Sequence, residues 1–131
     1  MESNYSVQIE AFAEKHFIKN FKKKYNSSWD VTLRAIFFQL EHIDNFLQTD
    51  KAITIIDSGE VKIIKTEFKI AGSKESAKTS GNRCIVAWHI KDRFVSILLV
   101  YSKTDLTSGN KETEEWKKII KDNYSNYKDL F

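Results

Sequence analysis

The chain has 131 residues, of which 41% are hydrophobic, 13% aromatic and 30% charged, and its net charge is +3. These values are typical of a globular domain with one core and exclude a chain that is disordered throughout. No apolar run approaches the roughly 18 residues of a membrane span, and the polar start does not resemble a signal peptide. We therefore expect a cytoplasmic protein that does not act at a membrane, with one domain over residues 1–131. The single cysteine, Cys84, lies in an apolar run and is expected to be buried.

Apolar periodicity predicts one strand and two helices in the first half of the chain. Alternation predicts a strand over Tyr5–Phe12, and helical spacing predicts a basic amphipathic helix over Glu14–Tyr25. A second helix is predicted over Ser28–Leu47, opened by Ser27 and Asp30 in a capping box. The lysines of the first helix form either a solvated face or a contact surface for RNA or an acidic protein, and the sequence leaves both open.

Three β-type runs and a final helix are predicted in the second half. The runs are Lys62–Ile70, Arg83–Ile90 and Phe94–Lys103, and a third helix follows Thr107–Asn110. A loop of about a dozen residues joins the first two runs, a length typical of functional loops. The order of elements predicts an α+β fold in which a helical hairpin packs on a mainly antiparallel four-stranded sheet, with a C-terminal helix.

Positive charge is concentrated in these strands and the loop between them. Residues 62–103 contain nine lysines and arginines and three acidic residues, a local charge of +6, whereas the rest of the chain sums to −3. This distribution favours a phosphate-bearing partner. Side chains two apart on a strand share a face, so Lys65, Glu67 and Lys69 are expected together, and Tyr101 and Lys103 are expected to share a face at the end of the last strand. His89 follows Arg83 at a distance of about 20 Å along the strand and is expected outside their site.

The central segment resembles the RelE/ParE superfamily of bacterial toxins, and more closely its RelE and HigB-like branch. The motifs that carry the resemblance are Lys65-x-Glu67-Phe68, a lysine-containing loop that ends Ser80-Gly81-Asn82-Arg83, and Leu98-Leu-Val-Tyr101-Ser-Lys103. The resemblance implies a RelE-like fold and a toxin of a type II toxin-antitoxin system. It further implies an endoribonuclease that cleaves mRNA on the ribosome by attack of the 2′-OH on the adjacent phosphate, without metal or cofactor. A cognate antitoxin protein is the implied inhibitor.

The same resemblance assigns roles to individual residues. The implied catalytic residues are Lys65, Glu67, Arg83, Tyr101 and Lys103, and the implied RNA-binding residues are Lys69, Lys74 and Lys78. A guanidinium suits bidentate contact with phosphate, and a phenol can stack on a base or position the phosphate.

Two residues depart from the pattern of the family. Many relatives have a lysine or arginine where this chain has Glu67, and a glycine where it has Asn82. Glu67 is a general base, a structural partner of the neighbouring cations, or a sign of an inactive site, whereas Asn82 affects loop flexibility. The alternative function is therefore a non-catalytic binding protein of the same fold, such as a ParE-like inhibitor of DNA gyrase or an inactive member.

Overall fold

A five-stranded sheet forms the centre of the protein, in a computed structural model that describes residues 4–106 and 111–131. The strands are β1 (Ser6–Ile9), β2 (Ala52–Asp57), β3 (Val61–Phe68), β4 (Asn82–His89) and β5 (Phe94–Ser102), in the order β1-β5-β4-β3-β2. β1 pairs with β5 in parallel, and the other neighbouring strands are antiparallel. The predicted α+β class and mainly antiparallel sheet are confirmed, although the sheet has five strands rather than four.

The additional strand is β2, which lies at one edge of the sheet. Its register against β3 shifts between Thr54 and Ile56, so the strict two-residue alternation that marks a strand is lost. Its exposed edge position also leaves Ile53 57% accessible. The sequence nevertheless contains an indication of this strand, because a run of β-branched residues precedes the turn at Asp57. In that turn the Asp57 carboxylate accepts a hydrogen bond from the backbone amide of Gly59 at 2.9 Å.

Helices from the first half of the chain cover one face of the sheet. α1 (Ala11–Ala13) continues through a π-helical segment (Glu14–Ile18) into α2 (Lys19–Tyr25), so the predicted first strand ends at Ile9 rather than at Phe12. α3 (Ser27–Glu41) and α4 (Ile43–Phe46) replace the single helix predicted over Ser28–Leu47. The rings of Phe21 and Trp29 lie 5.9 and 6.0 Å from Phe68 of the sheet.

The junction between α2 and α3 is a single residue, Asn26, with φ 53° and ψ −124°. No side chain caps the start of α3, so the capping box predicted from Ser27 and Asp30 is absent there. Asp30 instead pairs with Lys22 of α2 at 2.6 Å, across the exposed side of the two helices. The other lysines of the first helix are also exposed.

The opposite face of the sheet is covered by α7 (Glu112–Asn123) and the C-terminal segment. Trp116 and Ile120 of α7 are fully buried in a cluster with Ile63, Ile85 and Leu99. This element is the predicted third helix, and the predicted start at Thr107–Asn110 lies outside the described residues. The remaining helices are α5 (Ala77–Ser80), α6 (Lys103–Leu106) and a 3-10 turn (Lys128–Leu130). Among the described residues, none of the helices has the length and hydropathy of a membrane span.

Candidate active site

Strand register places three of the predicted catalytic residues in one row across the sheet. Glu67 of β3 lies opposite Arg83 of β4, and Arg83 lies opposite Tyr101 of β5. Side chains of directly opposed residues are neighbours on one face, and Lys65 shares that face because it precedes Glu67 by two residues. The row lies where β3 and β5 end and β4 begins, next to the first turn of α7.

Arg83 is buried beneath the short helix α5. Its guanidinium is bonded to backbone carbonyls: Nη1 donates to Asn82 at 2.9 Å and to Ala77 at 3.4 Å, and Nη2 donates to Lys78 at 3.2 Å. Only 4% of the residue is exposed. The guanidinium therefore fixes α5 to the sheet, and several of its donors are used within the protein.

Glu67 is the acidic neighbour of this guanidinium. Its Oε2 lies 3.6 Å from Nη2 of Arg83, and 15% of its side chain is exposed. Its Oε1 is buried and accepts no hydrogen bond within the described residues. The carboxylate thus has an ion-pair partner but retains unused acceptor capacity, an arrangement compatible with each of the roles considered for it.

A groove of about 390 Å³ opens beside Glu67, between α3 and the end of β3. Val31 and Ala35 of α3 line one side, and Lys51 and Lys69 contribute positive charge. The groove therefore combines apolar walls with cations next to the acidic residue of the row.

Tyr101 is held by a carboxylate that sequence reasoning missed. Its hydroxyl donates to Oε2 of Glu112 at 2.6 Å, and only 2% of the residue is exposed. Burial, and next the hydrogen bond to Glu112, raise the pKa of Tyr101 well above its usual range, so the phenol is protonated at neutral pH. The only sequence signal for Glu112 was its position in the acidic first turn of α7.

Lys103 lies beside the same carboxylate. Its Nζ is 3.8 Å from Oε1 of Glu112, and 47% of its side chain is exposed. The prediction that Lys103 shares a strand face with Tyr101 is wrong, because β5 ends at Ser102 and Lys103 begins α6. Glu112 brings the two residues together instead.

Lysines supply the accessible positive charge around this row. Lys65 is half-buried, and four others are exposed: Lys69, Lys74, Lys78 and Lys103. The ammonium of Lys69 donates to the Ser73 carbonyl at 3.3 Å. The backbone of Lys65 pairs within the sheet, but its ammonium makes no hydrogen bond or ion pair with another described residue. Lys65, Lys69, Lys78 and Lys103 therefore form a positive rim around the row, whereas Lys74 lies in the loop between β3 and α5.

The predicted loop is ordered by hydrogen bonds of its own. Ser76 and Thr79 form a reciprocal capping box at the start of α5, and the Ser80 hydroxyl donates to the Phe68 carbonyl at 2.6 Å. Gly81 has φ +79°, a conformation that favours glycine. Asn82 is buried as the first residue of β4, and its backbone amide donates a hydrogen bond to Ser80 Oγ at 3.0 Å. The loop motif therefore presents α5 over Arg83.

His89 and Cys84 lie apart from these contacts. His89 lies at the other end of β4 from Arg83, and its Nε2 is hydrogen-bonded to the Tyr127 hydroxyl at 2.6 Å. Burial lowers the pKa of His89. Cys84 is fully buried as predicted, and burial raises the pKa of its thiol to about 12. Within the described ranges, no group of three or more His, Cys, Asp or Glu side chains could hold a metal ion.

Comparison with solved structures identifies the fold. No protein-family model matches the chain, and no curated protein matches it in sequence. The chain is similar to a chain in the crystal structure of the archaeal RelE-RelB complex from Pyrococcus horikoshii OT3, with a TM-score of 0.51 and 17% identity. The similarity covers 76% of this chain and 96% of that chain. The α+β architecture described above is therefore a RelE-like fold, as the sequence motifs predicted.

Proposed function

We propose that the protein is the toxin of a type II toxin-antitoxin system and that it cleaves mRNA on the ribosome. The observation that carries the proposal is the row Glu67, Arg83 and Tyr101 on one face of a RelE-like fold. The lysine rim beside this row supports RNA as the substrate, because clustered cations attract a phosphate backbone independently of its sequence. A cognate antitoxin is the proposed protein partner, since the similar solved structure is of a RelE-RelB complex.

The proposed reaction is an internal transfer at one phosphate of the RNA. The ribose 2′-oxygen forms a bond to phosphorus, the bond to the 5′-oxygen breaks, and the products are a 2′,3′-cyclic phosphate and a free 5′-OH. One proton leaves the 2′-OH and one is delivered to the departing oxygen. The reaction therefore needs a base, an acid and positive charge at the phosphorane.

The accessible lysines fit the electrostatic part of this task. Lys65 and Lys103 border the row and would stabilise charge that develops on the phosphorane. Lys69, Lys74 and Lys78 are exposed and would hold the RNA backbone. Arg83 would act from beneath the surface, by holding α5 and pairing with Glu67.

Glu67 is the proposed general base. Its Oε1 accepts no hydrogen bond from the described residues, which supports this role, and because that atom is buried the carboxylate would turn toward the adjoining groove to meet the 2′-OH. Glu67→Gln keeps the shape of the side chain and removes its basicity. A loss of cleavage with unchanged RNA binding would support the base, whereas unchanged cleavage would leave Glu67 as a structural partner of Arg83.

Induced expression of the folded chain in a bacterium tests the proposed function directly. We expect growth arrest, internal cuts in translated messages, and cyclic phosphate ends when purified protein acts on ribosomes carrying mRNA. Lys65→Ala should reduce cleavage, whereas Lys91→Ala, an exposed lysine in the turn between β4 and β5, is the matched control. Normal growth and intact messages at a verified level of folded protein would overturn the proposal.

The second candidate is a non-catalytic binding protein of the same fold, such as a ParE-like inhibitor of DNA gyrase or an inactive toxin. The burial of Arg83 and Tyr101, which are 4% and 2% exposed, favours it because neither side chain is presented to solvent. Inhibition of purified gyrase without RNA cleavage would select the gyrase inhibitor. Neither activity, together with tight binding of the antitoxin, would select the inactive member.

A further inference from the structure

Glu112 contacts two of the predicted catalytic residues at once. Its Oε2 accepts the hydrogen bond from Tyr101 at 2.6 Å, and its Oε1 lies 3.8 Å from the Lys103 ammonium. Each carboxylate oxygen therefore serves a different partner. The Glu112 side chain is 14% exposed and Tyr101 is 2% exposed, so their hydrogen bond lies in a largely desolvated position where it is stronger than at an open surface. The contact with Lys103 is longer and lies at the edge of this position, because the Lys103 side chain is 47% exposed.

The helix that carries Glu112 is anchored to the core. Trp116 and Ile120, one and two turns further along α7, are fully buried against the sheet. Tyr101 and Lys103 lie on other elements, at the end of β5 and the start of α6. The carboxylate therefore links the end of the last strand to a fixed helix.

The hydrogen bond also determines what Tyr101 can offer a substrate. A phenol has one proton to donate, and in Tyr101 that proton is directed to Glu112. The oxygen of Tyr101 retains acceptor capacity only, so its role toward RNA depends on the carboxylate behind it. Lys103 has a long, flexible side chain, and the nearby negative charge restricts the region that its ammonium occupies.

We propose that Glu112 is a positioning residue of the site, which orients the Tyr101 phenol and the Lys103 ammonium for cleavage of RNA. This inference rests on the proposed ribonuclease function. Glu112 acts through its two partners and does not itself contact the RNA.

The test separates cleavage from binding. Single-turnover cleavage is measured on ribosomes carrying an mRNA, and binding is measured with the same mRNA containing 2′-deoxyribose at the cleaved position. Glu112→Ala should lower the cleavage rate by about tenfold to a hundredfold, the cost of a misplaced catalytic group. Affinity for the 2′-deoxy message should stay at the wild-type value, and Glu112→Asp, which keeps the charge, should recover part of the rate.

Glu112→Gln keeps the shape of the side chain and an acceptor for Tyr101, and it provides a folded variant if Glu112→Ala does not fold. It should cleave more slowly than the wild type because it lacks the charge beside Lys103. Glu114→Gln is the matched control, since Glu114 is exposed on the first turn of the same helix. It should behave as the wild type.

Three outcomes would overturn the inference. Wild-type cleavage rates in both Glu112→Ala and Glu112→Gln would show that the contacts position nothing. Equal losses of cleavage and of affinity for the 2′-deoxy message, with no recovery in Glu112→Asp, would show a purely structural role. Absence of cleavage by the folded wild type would instead overturn the proposed function, and the inference would fall with it.

Discussion

Arg83→Ala is expected to destabilise the protein by about 3–5 kcal/mol, the range for removing one partner of a buried ion pair. The guanidinium is 4% exposed and lies among three backbone carbonyls and one carboxylate. Its removal leaves these acceptors without their donor and leaves the Glu67 charge in a largely buried position. The cavity under α5 adds to the cost.

The contacts do not contribute equally to this estimate. The bond to Asn82 is short, at 2.9 Å, and that residue is buried, so its loss costs about 1–3 kcal/mol. The bond to Ala77 is long, at 3.4 Å, and Lys78 is exposed, so water can reach its carbonyl. Most of the remaining loss of stability comes from the Glu67 carboxylate, which is left without its ion-pair partner. This contribution is smaller than for a fully buried charge, because 15% of the Glu67 side chain is exposed.

Urea unfolding followed by tryptophan fluorescence measures the effect, because all three tryptophans are buried: Trp29, Trp88 and Trp116. Arg34→Ala is the control, since Arg34 is exposed on α3 and its replacement should change stability by less than about 0.5 kcal/mol. The double variant Arg83→Met with Glu67→Leu should recover much of the loss, because it leaves no unpaired charge.

A loss below about 1 kcal/mol in Arg83→Ala would refute this reasoning, since that is the value of one ordinary hydrogen bond. It would mean that the guanidinium contributes little to holding α5 in solution. Arg83 would then be available to a phosphate, as the sequence resemblance implied.

Three further predictions concern other parts of the fold. Tyr101→Phe should lower the free energy of unfolding, measured with urea, by about 1.5–3 kcal/mol, because the Glu112 carboxylate loses its hydrogen-bond donor. An unchanged urea midpoint would contradict a stabilising hydrogen bond between these residues. The pKa of the Cys84 thiol is about 12 when folded and 9.0 without burial, so unfolding releases its proton between these values and stability falls as pH rises from 9. Cys84→Ala should show a shallower decline in unfolding free energy from pH 8 to pH 10 than the wild type, and parallel curves would contradict the prediction. Asn26→Gly should raise the free energy of unfolding by about 1 kcal/mol, because φ 53° with ψ −124° is strained for any residue with a side chain. Asn20→Gly, inside α2, should instead lower it. Calorimetry of the two variants and the wild type measures both effects, and a less stable Asn26→Gly would contradict the strain.

The sequence was sufficient to place Lys65 and Glu67 on one face of a strand, but it did not show where β5 ends, so Lys103 was wrongly placed on that strand. The two-residue period of a strand placed Lys65 with Glu67, and the structure adds Arg83 and Tyr101 to the same face through strand register. Register itself could not be predicted, because it depends on how the loops and the β-bulges at β2 and β5 align the strands.

The burial of the site was beyond sequence reasoning for a different reason. α5 has only four residues, too few to show helical periodicity, so nothing indicated that it would cover Arg83. Glu112 follows Tyr101 by eleven residues and lies on another element, and a contact of that kind has no periodic signature. Both contacts arise from tertiary packing of short segments.

The parallel pairing of β1 with β5 has a consequence for synthesis of the chain. Ser6 and Ile9 pair with Phe94 and Ile97, so the first strand is made long before its partner exists. During translation at about 5–20 residues per second, the amino-terminal strand waits several seconds with an unpaired edge. Closure of this long loop is entropically costly and slows folding. The first strand of the nascent chain therefore stays without its neighbour in the sheet for most of the time that synthesis of this domain takes.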